Sequence, residues 1–146
     1  MNELSNFDID RIIKNYDLQN VYHGCYSKDQ LKELQTGFYI INLQSSTDGN
    51  GTHWCCLYVV NPVYSCWFDS FGFYPPEDIE NLLKTYDYND KDIQNINSSA
   101  CGYYCIAFIK FMRGKTNPKK AFYTFINLFN KNTAYNDKIL KELLSI

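Results

Sequence analysis

Residues 94–105 read QNINSSACGYYC, and they place Cys101 where a short polar loop passes into an apolar, helix-like run. A helix N-terminus offers unpaired backbone N–H groups and a positive partial charge. Both favour the thiolate form of a cysteine at that position, and the thiolate is the nucleophilic form. The same N–H groups can hold a developing oxyanion. The stretch therefore predicts a reactive thiol at Cys101, at the N-terminus of a helix.

Three further groups that a thiol peptidase needs lie upstream of Cys101. His53 lies in GTHW at residues 51–54, Asp69 lies in FDSFGF at residues 68–73, and Gln94 precedes Cys101 by seven positions (101 − 94). The chain order histidine, aspartate, glutamine, cysteine supplies a base, a group that orients it, an oxyanion donor and a nucleophile. His53 and Asp69 are 16 positions apart (69 − 53), which is enough for two adjacent antiparallel strands and their turn.

Each of these residues also has a purely structural interpretation. Cys101 would be a buried helix-end cysteine, His53 a satisfied histidine at a strand end, Asp69 a turn cap, and Gln94 a solvent-facing strand residue. The presence of all four in one order favours the catalytic interpretation.

Two alternative assignments concern the thiols and the histidines. His23, the other histidine, lies in a tyrosine-rich segment and is expected to pack or hydrogen-bond there. Cys105 is the rival thiol, one helical turn deeper in the expected core. A zinc site built from Cys101, Cys105 and the histidines is the rival chemistry, but no second CxxC or HxxxH pair accompanies them, and we predict no metal site.

The sequence resembles the adenovirus maturation protease (adenain) family, within the clan that includes the SUMO and ubiquitin-like deconjugating proteases. The resemblance is strongest over residues 50–110. It rests on GTHW at 51–54, NP at 61–62, FDSFGF at 68–73, Gln94, NSSACG at 97–102 and, near the start, YHGCY at 22–26. It implies a papain-like arrangement in permuted order, with Cys101 at the N-terminus of a central helix against a sheet that bears His53 and Asp69.

The resemblance also implies a function. It implies a cysteine endopeptidase that processes viral capsid precursors during virion maturation and cuts near small, glycine-containing motifs, with Trp54 and Gly102 lining a narrow substrate cleft. The chain is shorter than adenovirus enzymes and rich in Asn, Lys, Tyr and Ile, which favours a virophage or virus-like transposon source. The implied location is the virion and the reducing interior of the host cell.

Departures from the family pattern leave alternatives open. The adenain family has glutamate where this chain has Asp69, whereas the deconjugating proteases have aspartate, so a protease acting on a ubiquitin-like Gly-Gly C-terminus is an alternative. An inactive protease-fold binding module is another. The family's activators are a disulfide-linked peptide and DNA. The net charge of −2 and the poor match of Cys25, Cys55, Cys56 and Cys66 to the family's linking cysteine argue against both, so we expect a monomer that requires no cofactor.

Composition agrees with this reading. The start of the chain lacks the apolar core of a signal peptide, and no run of eighteen apolar residues occurs, so neither secretion nor a membrane span is expected. The six cysteines are then expected as reduced thiols. A basic run over residues 110–120 is expected to be a solvated helix end rather than a nucleic-acid site.

Hydrophobic periodicity predicts one α+β domain over residues 1–146, a small mixed or antiparallel sheet flanked by helices. Predicted helices cover 6–16, 76–86, 100–112, 121–129 and 136–144, and Gly114 is expected to end the helix that carries Cys101. Predicted strands cover 37–43, 53–60, 65–69 and 92–96, with an extended segment at 21–26, a helical turn at 27–30, a polar turn at 45–51 and a hairpin turn at 61–64.

Overall fold

The computed structural model describes residues 1–44 and 53–146, so the polar turn predicted for 45–51 lies outside the described residues. The elements, in chain order, are α1 (Asn6–Asn15), β1 (Tyr22–Ser27), β2 (Gly37–Asn42), β3 (Trp54–Val59), β4 (Tyr64–Phe68), α2 (Glu77–Glu80), β5 (Thr85–Tyr88), α3 (Cys101–Met112), α4 (Pro118–Ile126), a 3-10 helix (Thr133–Tyr135) and α5 (Asn136–Leu144).

The strands of the described residues form one five-stranded sheet in the order β1-β2-β3-β4-β5. The three central strands pair antiparallel, whereas β1 pairs parallel with β2 and β5 pairs parallel with β4. The predicted turn at 61–64 joins β3 to β4, where the Asn61 side chain accepts from the backbone N–H groups of Val63 and Tyr64. The α+β fold class, with a mixed sheet flanked by helices, is confirmed.

Side chains alternate between the two faces of the sheet, as the strand repeat requires. On one face Phe38, Ile40, Cys56 and Phe68 pack against residues of α1, α3, α4 and α5. The other face carries Tyr39, Ile41, Leu57 and Trp67, and is covered by side chains that include Leu31 and Ile79. Because both faces are covered, β2, β3 and β4 are almost wholly buried.

The helix α3 runs through the larger of the two cores. Its sequence is apolar nearly all round, which is typical of a helix that contacts neighbours on every side. Cys101 lies at its first position and Cys105 one turn later, where the Cys105 side chain is buried. The helix packs against β3. The structure therefore has the predicted arrangement of a cysteine-bearing helix end against the sheet.

Two predicted elements are wrong. The helix predicted over 76–86 is only the single turn α2, and residues 85–88 form β5 instead. Thr85, Tyr86 and Tyr88 suit a strand, and parallel pairing with β4 outweighs the weak helical tendency of a segment with one buried side chain, Ile79.

The strand predicted over 92–96 is a loop in the structure. The backbone N–H groups of Ile93 and Gln94 both donate to the carbonyl oxygen of Ser70, at 2.8 and 2.9 Å. These two hydrogen bonds to one carbonyl oxygen bend the segment back toward the end of β4, so Gln94 does not lie in a strand.

The remaining boundaries differ by small shifts. The helix predicted from residue 121 begins at Pro118, because the Asn117 side chain caps it and proline suits the first turn. The helix α5 has the predicted bounds, and α3 ends at Met112 with Gly114 in the left-handed region. Across residues 1–44 and 53–146, no helix combines the length and the apolar character that a membrane span requires.

Gly72 and Gly114 provide a matched pair for testing the loop after Asp69. Both have positive φ, +83° and +75°, but a Cβ on Gly72 would lie 2.7 Å from the backbone carbon of Lys91, whereas one on Gly114 would meet nothing within 4 Å. Gly114→Ala should cost roughly 1–2 kcal/mol of unfolding free energy, from backbone strain alone. Gly72→Ala should cost at least about 1 kcal/mol more, because the chain must also shift. Urea titrations of both variants check this, and equal losses would contradict the close approach.

Candidate active site

A histidine–aspartate pair lies at the adjoining ends of β3 and β4. His53 Nε2 donates to Asp69 Oδ1 over 2.8 Å, and the same oxygen accepts from the backbone N–H of Phe71 at 2.8 Å. The Asp69 side chain is 1% exposed, and its Oδ2 is buried with no hydrogen-bond partner among the described residues. The Phe71 ring lies against the imidazole, with 4.8 Å between ring centroids. The pair is thus shielded from water and fixed in direction.

Asn89, directly after β5, holds the backbone of Asp69 in place. Its Oδ1 accepts from the Asp69 backbone N–H at 3.1 Å, and its Nδ2 donates to the Asp69 carbonyl oxygen. Asn89 is buried, so these bonds form away from competing water. The parallel strand β5, which sequence periodicity missed, is what brings Asn89 there.

Cys101 meets the same pair from the helix side. Its Sγ accepts from the backbone N–H of Trp54 at 3.5 Å, and its thiol hydrogen-bonds with His53. Because His53 Nε2 is engaged by Asp69, Nδ1 is the ring nitrogen left to hydrogen-bond the Cys101 sulfur. Cys101 is 3% exposed and belongs to the larger hydrophobic core.

The electrostatics of His53 follow from these contacts. Burial by itself would lower the pKa of the imidazole, but hydrogen bonds to Asp69 and Cys101, together with their charges, outweigh burial and raise the pKa to about 9. His53 is therefore a cation at neutral pH. An imidazolium next to a thiol is the arrangement that activates cysteine nucleophiles.

Gln94 is buried, 2% exposed, and its side-chain amide makes two hydrogen bonds. Oε1 accepts from Ser70 Oγ at 2.6 Å, and Nε2 donates to the Ser98 carbonyl oxygen at 2.8 Å. The solvent-facing alternative for Gln94 is therefore wrong. The contacts tie Gln94 to the end of β4 on one side and to the loop before α3 on the other, while its oxyanion role stays a prediction.

Trp54 and Gly102 line the contact between the N-terminal segment and α3. The Trp54 indole N–H donates to the Leu4 carbonyl oxygen at 2.8 Å, and Trp54 belongs to the core. A Cβ on Gly102 would lie 3.0 Å from Leu4 Cδ1, so a larger residue there would make the Leu4 side chain shift. Their predicted roles in substrate binding stay predictions.

A cavity of about 610 Å³ adjoins Trp54. The N-terminal segment forms one wall, and the ends of β1 and β2 form the other. Its lining residues are Glu3, Leu4, Ser5, Asn6, Phe7, Asp8, Cys25, Tyr26, Ser27, Gln30, Asn42 and Trp54. Trp54, one of these lining residues, also donates its backbone N–H to Cys101 Sγ.

Metal-ligand side chains also converge at this place. Within the described parts of the chain, His53, Cys55 and Asp69 each offer a ligand atom within 4.8 Å of the others. This is not the predicted alternative of Cys101, Cys105 and the histidines. Zinc accepts these ligand types, but a metal on Nε2 would replace the proton that joins His53 to Asp69. The contacts therefore fit a hydrogen-bonded pair better than a metal centre.

The second histidine has a structural role, and four residues near the site were not predicted. His23 hydrogen-bonds the Thr36 carbonyl oxygen at 2.8 Å and stacks on Tyr39, as expected for a structural histidine. Sequence reasoning missed Ser70, Asn89, Ser98 and Asp137. Ser70 and Ser98 lie inside the FDSFGF and NSSACG motifs, so the sequence could have indicated them. No local pattern marks Asn89 or Asp137, which come from distant parts of the chain.

No protein-family model matches the sequence, and no curated protein matches it. Among solved structures, the chain is similar to the ASFV pS273R protease, with 17% identity over 88% of this chain and 68% of that one and a TM-score of 0.48. A selenomethionine form of that protease gives 16% identity over the same shares and 0.49. The central domain of an uncharacterized Legionella pneumophila protein, Lpg1148, gives 11% identity over 97% and 93% of the two chains and 0.47.

The raised pKa of His53 predicts a pH-dependent stability. Since the folded chain binds this proton more tightly than the unfolded chain, whose histidine titrates near 6.5, the gain is fully present below pH 6.5 and is lost as the pH rises through about 9. The difference in unfolding free energy between wild type and Asp69→Asn should thus be larger at about pH 6 than at about pH 9.5 in urea titrations.

Asp87→Asn is the control for this pH series. The hydroxyls of Tyr64 and Tyr123 donate to the Asp87 carboxylate, and neither hydrogen bond involves a histidine. The effect of Asp87→Asn on the unfolding free energy should therefore change little over the same pH range. A constant effect of Asp69→Asn from about pH 6 to about 9.5 would contradict the assigned His53–Asp69 coupling.

Proposed function

We propose that this protein is a cysteine endopeptidase with Cys101 as nucleophile, His53 as general acid and base, and Asp69 as the group that orients His53. The observation that carries the proposal is that one imidazole hydrogen-bonds both a buried carboxylate and the thiol at a helix N-terminus. This combination supplies a nucleophile, a proton carrier and an orienting acceptor in contact with one another.

The proposed reaction has two steps. The Cys101 thiolate attacks the scissile carbonyl carbon, an Sγ–C bond forms, and the C–N bond breaks as His53 Nδ1 gives its proton to the leaving amine. Neutral His53 then takes a proton from water, whose oxygen attacks the thioester. The acid product leaves and the thiolate–imidazolium pair is restored, so protons and electron pairs balance over the cycle.

Two donors are proposed for the oxyanion formed in both steps, the Gln94 side-chain amide and the backbone N–H of Cys101. An amide donates without changing charge, which suits an oxyanion that forms and collapses. Support for Gln94 comes from its burial and from its bonds to Ser70 and Ser98, which use one N–H of Nε2 and leave the second for a ligand.

For the substrate, we propose viral structural precursor polypeptides cut near small, glycine-containing motifs during virion maturation. The support is the resemblance of the residues around His53, Asp69 and Cys101 to the adenain family, together with the cavity of about 610 Å³ that Trp54 helps to line. We further propose a monomer that works without a metal or a required cofactor, inside the virion and the host cell, in an enzyme of virophage or transposon type.

The alternative with the same chemistry is a deconjugating protease for a ubiquitin-like Gly-Gly C-terminus. The specific observation in its favour is that the orienting acid is Asp69 rather than glutamate. Parallel assays with a proteome-derived peptide library and with fluorogenic ubiquitin-like C-terminal Gly-Gly substrates separate the two. Cleavage within library peptides supports the endopeptidase, whereas turnover of the Gly-Gly conjugates alone supports the alternative.

Two cysteine variants test the nucleophile. Cys101→Ala should abolish cleavage in the peptide-library assay and leave the fold intact, because removing one thiol at the first position of α3 costs little packing. Cys105→Ala should retain most activity but lose about 1–2 kcal/mol of stability, because it deletes a buried sulfur. Mass-spectrometric identification of products and urea unfolding provide the readouts. An inactive Cys105→Ala beside an active Cys101→Ala would reverse the assignment, and an inactive wild type would favour a binding module.

Gln94 variants test the oxyanion donor. Gln94→Ala should reduce kcat by about 100- to 1000-fold with little change in KM, because the amide acts on charge that exists only in the transition state. Gln94→Glu should be at least as harmful, since a carboxylate repels that charge. Asn95→Ala, which removes a neighbouring amide bonded to Thr133, is the control and should keep kcat. Near-normal kcat in Gln94→Ala would exclude the oxyanion role.

A further inference from the structure

A glutamine can serve as an oxyanion donor only if its amide points one way. The NH2 group and the carbonyl oxygen lie on opposite sides of the same carbon, so a half-turn about the last bond presents an acceptor instead of a donor. An acceptor aimed at the oxyanion would repel it. Some contact must therefore select one orientation of the Gln94 amide.

The Ser98 carbonyl makes that selection. A backbone carbonyl oxygen can only accept, so the atom 2.8 Å from it must be Nε2 rather than Oε1 of Gln94. The Ser70 hydroxyl, 2.6 Å from Oε1, then acts as the donor. Ser70 and Gln94 are both buried, so water does not substitute for either partner. The Ser70 carbonyl also accepts from the Gln94 backbone N–H, which fixes the base of the side chain.

The position of Ser98 depends in turn on Asp137, in the first turn of α5. Ser98 Oγ donates to the Asp137 carboxylate at 2.8 and 3.1 Å, because a carboxylate can only accept. The same Oγ accepts from the Ala100 backbone N–H at 3.2 Å. Tyr104, one turn into α3, donates its hydroxyl to Asp137 Oδ1 at 2.8 Å. The Asp137 carboxylate thus hydrogen-bonds both the loop before Cys101 and the helix that Cys101 begins.

We propose that Asp137 and Ser70 are positioning residues of the active site, which hold the Gln94 amide with its N–H toward the oxyanion. Asp137 acts through Ser98, and Ser70 acts directly on Oε1. The inference rests on the proposed function of Gln94, and it assigns to α5, near the end of the chain, a part in catalysis. Neighbouring Asn136 reinforces the same loop by donating to the Ile93 carbonyl oxygen at 2.7 Å.

Kinetics of Ser70→Ala and Asp137→Asn, alone and combined with Gln94→Ala, test this on a peptide identified in the library assay. Each single variant should lower kcat by about tenfold, which is the effect expected from losing one oriented hydrogen bond, and KM should change little. In the Gln94→Ala background neither should lower kcat further, because a residue that acts through Gln94 has nothing left to position. Ser70→Thr keeps the hydroxyl and should restore most of kcat. Equal losses in both backgrounds would overturn the proposal.

Two controls separate positioning from general damage. Iodoacetamide alkylates Cys101 by displacement at a saturated carbon, where no oxyanion forms, so its rate should be unchanged in Ser70→Ala and Asp137→Asn. A parallel fall in alkylation would overturn the proposal. Asp87→Asn and Ser65→Ala are matched controls. Asp87 also accepts from two tyrosine hydroxyls, and Ser65 is a buried serine on β4, so both should preserve kcat.

An activity-free measurement keeps this inference distinct from the proposed function. In NMR spectra of the wild type, the Gln94 side-chain NH2 should exchange slowly with solvent, and Ser70→Ala or Asp137→Asn should speed the exchange. If the wild type cleaves nothing, the proposed function fails while the exchange data still decide the orientation. Unchanged exchange in both variants would overturn the positioning role whatever the activity.

Discussion

The Asp69–Ser70 corner at the end of β4 is the constraint on which the site depends. Asp69 faces His53, and Ser70 holds Gln94 through its hydroxyl and its carbonyl oxygen. A carboxylate that is 1% exposed is costly unless it is paired and hydrogen-bonded. Since Oδ2 has no partner among the described residues, Oδ1 carries the compensation through His53 and Phe71. The protonated imidazole therefore stabilises the buried aspartate, just as the aspartate stabilises the protonated imidazole.

Different regions of the chain hold Asp69, the loop that carries Gln94, and Cys101 in place. Asn89, after the edge strand β5, clamps the Asp69 backbone. The first turn of α5 holds the loop that carries Gln94, through Asn136 and Asp137. Trp54, next to His53, donates its backbone N–H to the Cys101 sulfur and its indole N–H to Leu4. The functional groups are thus held by rigid elements and buried bonds, as electrostatic preorganisation requires.

The residues of the proposed catalytic contact were accessible to sequence reasoning because each lies in a distinctive local motif. His53, Asp69 and Cys101 meet as predicted. The segment 76–96 was misassigned for a physical reason: β5 exists because it pairs with β4, and the Gln94 loop bends because Ser70 accepts from two successive N–H groups. Both depend on partners distant in the sequence. The same applies to Asn89 and Asp137, whose roles come from the groups they meet.

Burial disfavours the thiolate form at the other five cysteines. Burial raises the pKa of the Cys25 and Cys66 thiols to about 12, and it raises those of Cys55, Cys56 and Cys105 well above the usual range. For Cys55 the nearby charge of Asp69 adds to this effect. The carboxylate that orients His53 thus also disfavours the thiolate at a cysteine two residues further along β3. Cys101 differs in its contacts, because His53 hydrogen-bonds both Cys101 and Asp69 and so joins this thiol to the same buried carboxylate.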